Sequence, residues 1–263
     1  MDEPVTVAST LLPVTPLLGG VVAALLLAAV TVAALAHLGH ARATLVAGVR
    51  AAVQLLAVSA IITHVVDRWS ATLLFLLVMC AVATTTASGR VTGGRWHLWI
   101  ALPILAGTVP VLGLLLATRL VPFDGLVVIP VAGSQLGGAL TATVLAGRRA
   151  LEELAVRRGE VEAALALGLL ARDARLEICR SAAAGALIPA LDQTRTVGLV
   201  TLPGAFVGML LGGASPVDAG AVQLFVLVAL LATEAVAIAV VLELIARGLV
   251  VRPGTNSLTR EAR

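Results

Sequence analysis

The 263-residue chain is 59% AVILMFWYC before its 25 glycines are counted, and only 13% charged, against about 45–50% apolar with glycine included in soluble domains. Such a composition needs lipid as part of its solvent. The net charge of +3 comes from 18 arginines against 15 acids, with no lysine and no tyrosine, so the chain lacks the charge excess of a nucleic-acid-binding protein. A lysine-dependent phosphate loop, a Schiff-base centre and a kinase-type ATP site are excluded. Any ATP chemistry belongs to another chain.

Met1, Asp2 and Glu3 carry acids where a secretory signal carries basic residues, so the first apolar run is expected to stay as a span. Residues 17–36 hold no charge, long enough to cross about 30 Å of hydrocarbon. Comparable runs follow at about 44–66, 70–88, 97–117, 125–146, 196–214 and 219–246. These predict an all-α, polytopic membrane helix bundle with about seven transmembrane helices. Residues 181–191 are apolar but too short to span, and read as an interfacial or packed segment.

Arginine sets the orientation, because cytoplasmic loops carry the basic excess. With the N-terminus outside and the C-terminus cytoplasmic, every arginine except Arg68 and Arg119 falls on the cytoplasmic side, including Arg95, Arg260 and Arg263. His37 and His40 have no Cys or carboxylate at ligand spacing, and Cys80 and Cys179 form no C-x-x-C motif, so no metal site is assigned. Trp69, Trp96 and Trp99 read as interfacial, and Glu243 with Arg247 as an i,i+4 surface pair by the cytoplasmic boundary.

Residues 148–180 contain 7 Arg and 6 acids. The order Arg149, Glu153, Arg157 predicts a helix continuing from the fifth span; Gly159 allows a bend, and a second helix starts near Glu160. That helix contains Glu162-Ala163-Ala164-Leu165-Ala166-Leu167-Gly168, the E-A-A-x-x-x-G form of the coupling loop of ABC-transporter permeases. Small residues suit a shallow groove on a partner and the glycine ends or bends the helix, whereas the plain alternative is an Ala-rich amphipathic helix.

Together with Arg50-Ala51-Ala52-Val53-Gln54-Leu55-Leu56, Ile129-Pro130-Val131-Ala132-Gly133, Ile188-Pro189 and the run from Thr196 through Leu202-Pro203-Gly204, this motif resembles the FetB-like ABC permeases, a metal-resistance family associated with iron export. The resemblance covers residues 17–250. It implies a single ABC permease transmembrane domain over 1–263 in the cytoplasmic membrane, with residues 147–195 as a cytoplasmic coupling loop between the fifth and sixth spans. It further implies an ABC ATPase subunit that uses ATP and Mg, a second copy of the permease, and a metal or small solute as substrate. No cofactor bound by this chain and no nucleic acid is implied. The first proline after Gly168 is Pro189, unlike importer permeases, which favours export. Ser134 and Gly138, and Gly208-Met209, stand where the family tends to have Met, Asn and Gly-Gln.

Glu160, Glu162, Ala163, Ala164 and Gly168 are therefore the candidate coupling residues. Candidates for the path or gate are Arg50, Gln54, Pro130, Gly133, Pro203, Gly204, Gly208 and Glu234. Arg50 either snorkels or holds an inner gate, and Gln54 lies one turn deeper. Glu234 sits mid-span with 15 uncharged residues separating it from Asp218, either as a cation contact or proton acceptor or as a structural acid. The glycines let helices approach closely, and Pro130 and Pro203 free backbone carbonyls at membrane depth. Three functions compete: an ABC permease for a metal or for a non-metal solute such as a sugar nucleotide, an ion-coupled secondary transporter, and a membrane enzyme. No motif supports the enzyme.

Overall fold

In the computed structural model of the protein, the described residues are 15–94, 97–119 and 123–252. Asp2, Glu3, Arg95, Trp96, Arg260 and Arg263 lie outside them. Among the described residues ten α-helices are formed: α1 Pro16–Leu35, α2 Ala41–Val66, α3 Trp69–Thr92, α4 Ala101–Ala117, α5 Gly125–Val156, α6 Arg158–Ala166, α7 Ala171–Ala184, α8 Ile188–Thr196, α9 Gly204–Leu211 and α10 Pro216–Ala246. Six segments are long and apolar enough to cross a membrane: α1, α2, α3, α4 with its preceding 3-10 turn, α5 and α10.

The chain divides into two compact units, Met1–Asp67 and Arg68–Arg263. In the first, α1 and α2 pack together as an antiparallel hairpin: a Cβ on Gly48 would stand 2.6 Å from Leu26 Cδ1, and the two positions are nearly equidistant from the turn.

In the second unit α5 is the central helix, packed by α3, α4, α7 and α10. Its buried face runs from Val128 through Ala132, Gln135, Ala139, Ala142 and Ala146 to Ala150. These mostly small side chains recur at helical spacing and let neighbouring backbones approach. Close contacts at glycines give the helix directions. Gly133 meets Met79 and Gly147 meets Val91, while Gly138 meets Leu230 and Glu234 and Gly147 meets Val241. Residue numbers rise together in both pairs of helices, so α3, α5 and α10 run parallel.

The sequence reading needs two corrections here. Residues 196–214, expected as the sixth span, are not one helix. Thr196 O accepts from Val200 N at 2.9 Å, and Gly198 N donates to Thr201 O at 2.9 Å, closing a tight turn in which Gly198 has φ 81°. Pro203 then opens α9, which has 8 residues and covers only about 12 Å. The second correction concerns the break after α5, which falls at Arg157 (φ −101°, ψ 33°) and not at Gly159. Arg157 Nε donates to Glu160 Oε1 at 2.7 Å across it.

Candidate functional site

The charged end of the second unit is built on α6 and α7. α6 leaves Glu160, Glu162 and Ala163 exposed and half-buries Ala164; its buried residue is Val161. Arg158 Nε donates to Glu162 Oε1 at 2.8 Å. Beside the Arg157 guanidinium the Glu160 carboxyl is held below its ordinary value. The helix ends at Gly168 (φ 90°), where Gly168 N bonds Leu165 O and Leu169 N bonds Ala164 O. This is a Schellman closure, and its left-handed position suits glycine.

α7 follows and is clasped to the end of α10. Arg172 grips Glu243 with two bonds of 2.8 Å, and Arg175 Nη1 donates to Ala246 O at 3.1 Å. Glu243 also accepts from Arg247 at 2.6 Å, the i,i+4 surface pair legible in sequence. Burial lowers the Arg175 pKa. Ala174, Ile178, Cys179 and Ala183 of α7 join Leu151 and Leu154 of α5 and Leu244 and Ile245 of α10 in one core. α7 is thereby fixed to the ends of two long helices.

A second polar cluster lies among α4, α5 and α10. Glu234 is buried, and its Oε1 lies 2.9 Å from where a Cβ on Gly138 would stand. The preceding Thr233 lies 2.7 Å from Gln135 Oε1 and 3.3 Å from Gly107 O. One hydroxyl hydrogen cannot serve two acceptors, so the shorter contact holds it. Gln135 Nε2 and Thr108 Oγ1 are buried with no hydrogen-bond partner in the protein. Unpaired polar groups of this kind are costly inside a membrane domain. Sequence reasoning singled out Glu234 with Thr233 beside it but missed Gln135 and Thr108 as their company. The signal available was Gln135 within an otherwise small and apolar run.

Within the first unit, Arg50 and Gln54 share one face of α2 with Leu45, Val46, Val49 and Val53. Pro130 stays inside a continuous α5, so it breaks no helix. Pro203 does interrupt the chain and lines a cavity of about 160 Å³ with Val197, Phe206, Gln223 and Leu227. Gly133 packs against Met79, while Gly204 and Gly208 have open space around them. Among the described residues no three His, Cys, Asp or Glu side chains gather where they could hold a metal ion.

Six apolar helices of spanning length, with a buried polar cluster between them and a charged helical pair at one end, define a multi-pass helical membrane protein. The chain belongs to the uncharacterised protein family UPF0014, whose model matches residues 18–250. It is 39% identical to the UPF0014 membrane protein STAR2 of Oryza sativa subsp. japonica, over 73% of this chain and 68% of that protein. It is 38% identical to Protein ALUMINUM SENSITIVE 3 of Arabidopsis thaliana, over 59% of this chain and 57% of that protein. With the probable iron export permease protein FetB of Escherichia coli (strain K12) it shares 32% identity, over 70% of this chain and 72% of that protein. No solved structure matches the chain.

Proposed function

We propose that the chain is the permease subunit of an ABC transporter, exporting iron or another metal, or a small metal-linked solute, across the cytoplasmic membrane. A separate ATPase subunit, using ATP and Mg, docks on α6, and a second copy of the permease completes the transporter. The N-terminus is external and the C-terminus cytoplasmic, with α6 and α7 on the cytoplasmic side, as the arginine distribution requires.

One observation carries this reading. An exposed helix of small residues bearing Glu162 and ended by Gly168 is tied, through α7, to α10 by the Arg172–Glu243 clasp. That is the construction a coupling element needs, a shallow knob on the outside and a rigid connection to the spans within. The relation to a probable iron export permease supports the direction and the class of substrate.

Co-purification of the membrane-embedded chain with an ATPase encoded beside it, and metal-stimulated ATP hydrolysis by the pair, test the proposal. Glu162→Arg with Gly168→Val should abolish both while leaving the permease in the membrane; normal stimulated hydrolysis by that double variant would sink the coupling role. An ion-coupled carrier is the second reading, favoured by the buried Glu234, and transport by the permease alone in proteoliposomes would establish it instead.

A further inference from the structure

We propose that α8 lines a water-filled path for a hydrophilic, ionic solute, with Asp192 and Arg195 as its charged wall. This rests on the transporter reading above, and concerns residues that reading does not use.

Because α5 and α10 are parallel, the start of α10 lies at the face opposite to α7. The chain must therefore cross between α7 and Pro216, and it does so without a spanning helix. At one end of this stretch α7 is clasped to Glu243 and Ala246 of α10, and the guanidinium of Arg149 lies against Gly185. At the other end Val197, Gly198, Leu202 and Pro203 share a cavity with Gly220, Gln223, Leu224 and Leu227 of α10. These α10 residues lie about 6–17 Å from its first residue and about 29–39 Å from its last. The turn at 197–203 thus lies inside the slab between Asp218 and Glu243, nearer to Asp218, and α8, which packs on α10, lies between the turn and the charged end.

α8 has the wrong surface for lipid at that depth. Ala190 is buried, while Asp192, Gln193 and Arg195 are exposed, with Asp192 and Arg195 on the opposite side of the helix from Ala190 and 3.6 Å from each other. Charges at membrane depth face a bundle interior or water, and irregular backbone there is tolerated only where it is buried in protein or lines a water-filled cavity. The exposed residues of the turn, α9 and α10 offer the contrast: Leu199, Val200, Val207, Leu211, Leu224 and Val228 are apolar, as lipid requires. One side chain of each sign, pointing into water, suits an ionic solute and is a poor wall for an apolar one.

The test uses the full chain in sealed vesicles, with Cys80 and Cys179 replaced by Ser. Asp192→Cys, Gln193→Cys and Arg195→Cys should react with charged, membrane-impermeant methanethiosulfonates roughly tenfold or more faster than Val228→Cys, because charged reagents partition poorly into hydrocarbon. A bimane on Leu199→Cys should be quenched by lipids brominated along their acyl chains, which reports depth separately. Reaction at the α8 positions only with lipophilic maleimides overturns the proposal, as does absence of quenching at position 199, which would put α8 at a membrane surface. Gln193→Cys removes no charge and keeps the test valid if either charged position fails to fold. Labelling requires no ATPase, so a chain that labels as expected but binds no ATPase would sink the ABC reading and leave the path.

Discussion

At the scale of single residues, the glycines separate packing from open surface. A Cβ on Gly107 would stand 2.5 Å from the backbone oxygen of Thr233, whereas Gly113 has nothing within 4 Å. Backbone cannot yield as a side-chain tip can, so Gly107→Ala should destabilise the second unit by about 1–3 kcal/mol. Gly113→Ala should be neutral or stabilise by up to about 1 kcal/mol through helix propensity. Thermal unfolding of the two variants in detergent checks the contrast, and equal midpoints would contradict the α4–α10 contact. Cys179 offers a pH-dependent case. Burial pushes its thiol from an ordinary 9.0 up to about 11, against the weaker opposite pull of a backbone hydrogen bond and Arg180. In native membranes Cys179 should resist alkylation at pH 8 and react once the chain is unfolded. The linkage has a definite sign: above pH 9 the unfolded thiol ionises while the folded one keeps its proton, so this group makes stability fall as pH rises from about 9 towards 11. Rapid alkylation of folded protein at pH 8 would mean that α7 is not docked.

At the scale of elements, the clasp between α7 and α10 is the feature most open to dissection. Arg172 and Glu243 are partly exposed, with side-chain exposures of 47% and 29%, so their pairing adds no more than about 1 kcal/mol to stability, and its value lies in connection. Arg172→Gln and Glu243→Gln should each weaken coupling of ATP hydrolysis to transport. The double variant should be little worse than either single, since both remove the same contact; strictly additive losses in stimulated hydrolysis would argue that the two act apart. Much of this element was legible in sequence: the continuation of the fifth span into the charged segment, a helix around Glu162, its end at Gly168, and the Glu243–Arg247 pair all follow from local spacing. Arg172–Glu243 and Gln135–Thr233 were not legible, because 71 and 98 residues separate the partners and only packing joins them. The break at 197–203 escaped for another reason. Hydropathy sums side chains over a window and is blind to the backbone, so an apolar run closed on itself at Gly198 looks the same as a span.

At the scale of the whole molecule, the crossing number of the second unit follows from helix direction and charge together. α3, α5 and α10 run parallel, α6 and α7 lie at the C-terminal ends of α5 and α10, and the start of α10 therefore faces the other side. Six continuous spans alone would return the chain to the side on which it began. On the proposed orientation, with the α6–α7 pair and Arg247 both cytoplasmic, the interrupted stretch through α8 and α9 would supply the further crossing. Single cysteines decide the matter, because Glu160 and Val217 are both exposed, the latter at 80%, and both stand outside the buried core. With Cys80 and Cys179 replaced, Glu160→Cys should react with an impermeant maleimide only in inside-out vesicles, and Val217→Cys only in right-side-out ones. Reaction of both from one side would mean that the chain does not cross between α7 and α10, and the seven-crossing topology would fall. Reaction from opposite sides but in the reverse sense would keep the crossing and place α6 outside the cell, where no ATP-hydrolysing partner could reach it.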